Sequence, residues 1–184
     1  MKSYTRPPSD PKNFRQKKYE EATSRAQYSN TLDFNTTAYS NAAAGNELAY
    51  SIEIPTKYIS GKGDSIRCRF AGVTAASVNT KFVELRLAGG VIHNGRVDDG
   101  SGLLFLWSVE LEIFSSSLNN QEQISVARSS SVGGAFGAAT EDYGSVVITT
   151  FNANSPLSLD LYISGVLAGE NTFRLAKVEF SPAP

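Results

Sequence analysis

The chain has little of what most enzymes are built from: one histidine, one cysteine and one tryptophan in 184 residues. A single histidine excludes a histidine-rich metal site and any pair of histidine acid and base groups within one chain. A single cysteine excludes an internal disulfide, and with it a small scaffold held together by disulfide bridges. No apolar run approaches the ~20 residues of a membrane-spanning helix, and the N-terminus lacks the apolar core of a signal peptide. These absences predict a soluble chain made in the cytoplasm, with no membrane partner. No Walker lysine accompanies the glycine-rich stretch and no Gly-x-Ser-x-Gly elbow is present, so neither a phosphate-binding loop nor a serine-hydrolase triad is expected, and no cofactor is expected.

What the chain does have changes character near residue 30. Residues 1–30 hold seven Lys and Arg against three acids, a net charge of +4, whereas residues 31–184 carry ten against fifteen, a net charge of −5. Pro7, Pro8 and Pro11 keep the opening segment extended, since proline fixes φ and offers no amide donor. Residues 12–27 could form a short helix, marginal without a surface to fold on. The expected organisation is an attachment arm over 1–30 and one β-domain over 31–184. Within the arm, Tyr4, Arg6, Phe14, Arg15, Lys17, Lys18, Tyr19 and Arg25 interleave aromatic and basic side chains, the types that anchor a peptide at a protein interface. A solvated, disordered tail is the competing reading of the same residues.

Beyond Glu47 the hydrophobic period becomes two. Leu48, Tyr50, Ile52 and Ile54 share one face before Pro55; Ile66, Cys68 and Phe70 alternate with Arg67 and Arg69; Val83, Leu85 and Leu87 alternate with Glu84 and Arg86. By this alternation Cys68 is an inert core thiol. The longest run, 103–114, puts Leu103, Phe105, Trp107, Val109, Leu111 and Ile113 inward. Its other face begins with Leu104 and Leu106, so a second surface is expected to cover that half. Further strands are read around Ile124 and Val126, at 146–151, at 157–163 and at 172–180. About eight strands spaced by small-residue turns, with no amphipathic helix among them, predict an antiparallel two-sheet jelly-roll sandwich.

The stretch YSIEIPTKYISGKGDSIRCRFAG, residues 50–72, resembles a pattern in jelly-roll structural proteins of tailed bacteriophages: a strand ending in Ile-Pro, a spacer, Gly-Asp, then Ile-Arg and an alternating strand ending in Gly. VELRLAGG and LWSVELEIF are similar to later strands of that family, and the likeness spans roughly residues 36–180. The resemblance implies a non-enzymatic virion part: a capsid decoration or cement protein, a head fibre, or a receptor-binding tip, often a homotrimer. The implied partner is a major capsid protein or another virion protein, and the implied location is the virion. The basic arm and short length favour a protein that clips onto a shell over a tail fibre.

Other candidates are weaker. Glu110 and Glu112 sit ~7 Å apart on one strand face, a spacing compatible with paired-carboxylate hydrolysis, but a solvated face is the plainer reading. Asp98 and Asp99 in VDDGSG read as a turn, and His93 as an incidental loop residue. Residues 129–145, SSSVGGAFGAATEDYGS, read as a long exposed loop in which Phe136 and Tyr143 are the contact points, for a subunit or a cell-surface glycan. Binding to nucleic acid, as in a genome-enclosing coat protein, would need an arm denser in Arg and Lys.

Overall fold

A computed structural model describes residues 30–55, 58, 64–98, 102–115, 122–133, 141–150 and 156–181; at residues 30, 115, 122–133 and 141–150 only the backbone is described, Ala127 excepted. Eleven strands run through these residues: β1 Asn30–Asn35, β2 Tyr39–Ser40, β3 Gly45–Ile54, β4 Ser65–Thr74, β5 Phe82–Leu87, β6 Gly90–Arg96, β7 Phe105–Ser115, β8 Glu122–Gly133, β9 Glu141–Thr150, β10 Leu157–Gly165 and β11 Asn171–Ser181. All pairings are antiparallel.

One sheet has the order β1-β11-β4-β7-β8-β9, with β2 also on β11, and the other has β3-β10-β5-β6. Without the β8–β9 hairpin and the short β2, eight strands remain. They cross between the sheets so that the first lies beside the last, which is the jelly-roll path. The expected fold class is therefore present, enlarged by a hairpin that extends the first sheet and brings β8 and β9 against β6.

The inward positions predicted by alternation form the core. Ile66, Cys68, Phe70, Val83, Leu85, Leu87, Trp107, Val109, Leu111 and Ile113 are all buried in one cluster with Leu159, Leu161, Ile163, Phe173 and Val178. Tyr50 joins the two layers, its ring centroid 5.7 Å from that of Phe70 and 5.9 Å from that of Phe173. Burial pushes the Cys68 thiol well above its ordinary pKa, in keeping with an unreactive core residue.

Bulges account for most departures from simple alternation. Opposite β10, Leu161 faces Tyr50 but Tyr162 faces Leu48, so Ala49 is an extra residue in β3. A bulge reverses the side to which the following residues point, and Leu48 is consequently exposed, not buried beside Tyr50. In β1, Thr31 faces Glu179 and Asp33 faces Val178, so Leu32 is the extra residue and Asp33 turns inward. In β6, Leu85 faces His93 and Arg86 faces Val91. Ile92 is then the extra residue, and His93 shares the inner face with Leu85.

Three sequence expectations are corrected. Residues 129–145 are not one long loop: Ser129 pairs with Tyr143, Ser130 with Asp142 and Ser131 with Glu141 inside the β8–β9 hairpin. Pairing with β7 supplies the strand geometry that a serine- and glycine-rich sequence does not announce. His93 lies in a strand and is buried, not in a loop. Leu103, expected inward, is exposed, and so are Leu104 and Leu106, so no described residue supplies the expected covering surface.

Candidate functional site

The arm residues Tyr4, Arg6, Phe14, Arg15, Lys17, Lys18, Tyr19 and Arg25 lie outside the described residues, as does Phe136. Tyr143 is placed in β9. The fold does fix where the arm leaves. Asn30 pairs with Phe180, at the end of the sandwich to which β4 brings Ser65 and β7 brings Phe114. The strand that follows is held in two ways: β1 pairs along β11, and Asp33, turned inward by the Leu32 bulge, accepts a 2.5 Å hydrogen bond from the Tyr50 hydroxyl. Burial, with that bond to Asp33, raises the Tyr50 pKa far above its ordinary value, so the phenol remains a donor at any physiological pH.

The outer face of β11, β4 and β7 carries a shallow trough of about 490 Å³ lined by Arg67, Arg69, Glu110, Glu112, Lys177 and Glu179. Its charges are paired across the strands. Arg67 Nε donates to Glu112 Oε1 at 2.8 Å, Arg69 pairs with Glu110, and Lys177 with Glu179 at 2.8 Å. Glu110 and Glu112 are thus members of a cross-strand charge ladder, each facing an arginine in register. Pairs this exposed are worth roughly 0–1 kcal/mol each and specify register more than stability. On the other sheet, Arg86 donates to Glu84 at 2.6 Å and lies 4.4 Å from the centre of the Tyr162 ring.

The opposite end of the sandwich is tied together by buried polar groups. Glu170 accepts from Ser77 Oγ at 2.5 Å, Asn79 Nδ2 at 2.7 Å and the amides of Val166 and Leu167 at 2.8 Å. Burial alone would raise its pKa, but these four donors outweigh it and bring the carboxyl down to about 2. Asn171 accepts from Trp107 Nε1 at 2.9 Å and donates to the carbonyls of Phe82 and Ser164, while its amide donates to Asn41. Asn41 in turn donates to the carbonyls of Ala43 and Leu167. Lys81 is fully buried, its Nζ 2.8 Å from the Ser77 carbonyl and 3.1 Å from Asp98 Oδ2, and Arg96 reaches Asp98 Oδ1 at 3.1 Å. Asp98, read from the sequence only as part of a turn, is a buried ion-pair partner.

This network is the feature that sequence reasoning missed. It draws on residues 41, 77, 79, 81, 98, 107, 170 and 171, which no local motif connects. One signal was readable. The segments 35–46, 71–80, 102–109 and 164–169 contain no Asp, Glu, Lys, Arg or His, and these are the turns and strand ends that meet at this end. Among the described residues no group of three or more His, Cys, Asp or Glu is placed to hold a metal ion.

No family model matches the chain, and no curated protein sequence matches it. Among solved structures it is similar to a legume lectin-like domain from Entamoeba histolytica, at 8% identity and a TM-score of 0.31 over 100% of both chains. It is also similar to the structure of the infectious bursal disease virus Gx strain, at 13% identity and a TM-score of 0.28 over 83% of this chain. The infectious bursal disease virus VP2 subviral particle matches at 15% identity and a TM-score of 0.25 over 85% of this chain. The chain spans 39% and 41% of those two viral chains. At these scores the likeness carries no argument about what the chain does.

Proposed function

We propose that the chain is a non-enzymatic structural protein of a bacteriophage particle, a jelly-roll block that decorates or cements the capsid through an arm of residues 1 to about 30. The observation that carries this reading is the fastening of β1. The residue at which the basic, aromatic arm joins the domain begins an edge strand, and that strand is tied to the core by the Tyr50–Asp33 bond. A load on the arm therefore passes into both sheets and does not peel off one strand.

Ordering an arm on a partner costs roughly 1–2 kcal/mol per backbone residue, to be offset by aromatic burial and charge-assisted contacts. The arm's net +4 suits an acidic partner surface. The ionisable groups with partners described above support the same reading, because Arg67, Arg69, Lys81, Glu84, Asp98, Glu110, Glu112 and Glu170 serve the fold.

Co-sedimentation with particles tests it. The full chain should pellet with capsids that lack it, and a chain starting at residue 29 should not, while keeping its thermal unfolding transition. Capsid binding by the shortened chain equal to that of the full chain would refute the arm's role. Binding of the purified chain to cell-surface glycan without any capsid binding would replace this reading with an adsorption module.

A further inference from the structure

Strand β1 turns its acid inward and shows its phenyl ring to solvent. In NTLDFN, simple alternation would put Leu32 and Phe34 on one face and Asp33 on the other. The extra residue at Leu32 changes this. Asp33, opposite the buried Val178, faces inward, and Phe34, opposite Lys177, faces outward with 61% of its surface exposed. No other described aromatic side chain is more than 38% exposed. The bond to Tyr50 accounts for the acid, but any polar residue at position 34 would leave that bond intact.

The ring stands at the β1 margin of the charged trough, in one row with Lys177 on β11 and Arg69 on β4. Lys177 pairs with Glu179 and Arg69 with Glu110, so Phe34 is the apolar member of that row. An aromatic beside cations is also the composition of the arm, and Phe34 follows Asn30, where the arm joins, by only four residues. At ~3.3 Å per residue of strand, a partner that holds the arm up to Asn30 lies within ~13 Å of the ring.

We propose that the outer face of β1 is the second part of the capsid footprint, and that Phe34 seats its ring in an apolar socket of the coat subunit that holds the arm. This rests on the arm's role as read above and adds to it a surface of the folded domain. Aromatic side chains are enriched at the centres of protein interfaces, where burial of the ring supplies the gain. The two contacts differ in what they cost. The arm has to be ordered on its partner, whereas Phe34 already sits on a paired strand and loses little backbone freedom. Because four residues link them, closing either contact presents the other at high effective concentration. The ring thereby fixes the angle at which the domain stands on the shell, which an arm alone would leave open.

Titration of the full chain onto capsids that lack it, read by co-sedimentation, tests the proposal. Phe34→Ala should raise the dissociation constant by about 10-fold or more. Leu104→Ala, at an exposed apolar position distant from β1 in the sheet, should leave it unchanged. Both side chains are exposed, so the thermal unfolding of both variants should match that of the parent. Parental affinity in Phe34→Ala, with binding lost in the chain starting at residue 29, overturns this inference and leaves the arm's role standing. Parental affinity in both overturns the two together. Equal weakening by Leu104→Ala overturns it as well, since the effect would not belong to β1. A dimer of the free chain that Phe34→Ala abolishes, with capsid binding unchanged, overturns it in favour of a contact between copies.

Discussion

The Tyr50 hydroxyl and the Asp33 carboxylate, 2.5 Å apart, connect β3 in one sheet to β1 at the edge of the other. The bond exists because the Leu32 bulge turns an acid inward at the one place where a buried phenol can meet it. Removing the hydroxyl as Tyr50→Phe keeps the ring contacts with Phe70 and Phe173 and leaves Asp33 short of its donor. The expected loss is about 1–3 kcal/mol in urea unfolding, with amide exchange accelerated more in β1 than in β4.

The buried ion pair should be asymmetric. Asp98→Ala leaves the ammonium of a fully buried Lys81 with the Ser77 carbonyl as its one partner among the described residues, whereas Lys81→Met leaves Asp98 with Arg96. Denaturant titration should find the first substitution costing about 3–5 kcal/mol and the second clearly less. Replacing both by apolar residues should recover much of the loss.

Glu170 should set part of the acid limb of stability. Its pKa in the folded chain, about 2, lies below its ordinary value of 4.5, so the unfolded chain binds the proton more readily between the two. The stabilisation is complete above pH ~4.5 and is lost as pH falls towards 2. In Glu170→Gln the thermal midpoint should be lower at pH 7 and should fall less steeply across that interval. The loss at pH 7 should be about 1.5–3 kcal/mol, since a charged acceptor of four hydrogen bonds is replaced by a neutral one.

Gly72 is paired with Trp107 and lies against the Thr172 carbonyl. A Cβ there would collide with that backbone oxygen and with the Trp107 ring, neither of which has room to yield. Gly72→Ala should cost about 3 kcal/mol or more, beyond ordinary overpacking. It should also shift Trp107 fluorescence, because the indole would lose its 2.9 Å bond to Asn171.

Much of the fold was legible because half-buried strands must alternate. Phe105 to Ile113, Ile66 to Phe70 and Leu157 to Ile163 could be assigned inward from sequence, and Cys68 fell into the core on that pattern alone. The pattern fails where a bulge inserts one residue, so Leu48 and His93 were placed on the wrong side or in the wrong element. β8 and β9 could not be read over 129–145 because their strand state comes from pairing with β7 and each other. The polar network was illegible for a different reason: Asn41, Glu170 and Trp107 come together only when the turns of both sheets converge. The uncharged end was open to reading, since a missing charge is visible in sequence, but only the topology shows that four such segments meet.

Electron cryomicroscopy of the particle that contains the protein would test the central claim most directly. The account predicts jelly-roll density on the capsid exterior, with the segment before Asn30 running from the β1 edge onto neighbouring coat subunits. Particles complete without this chain's density, or a domain bound through its sheets with that segment touching no coat subunit, would contradict it.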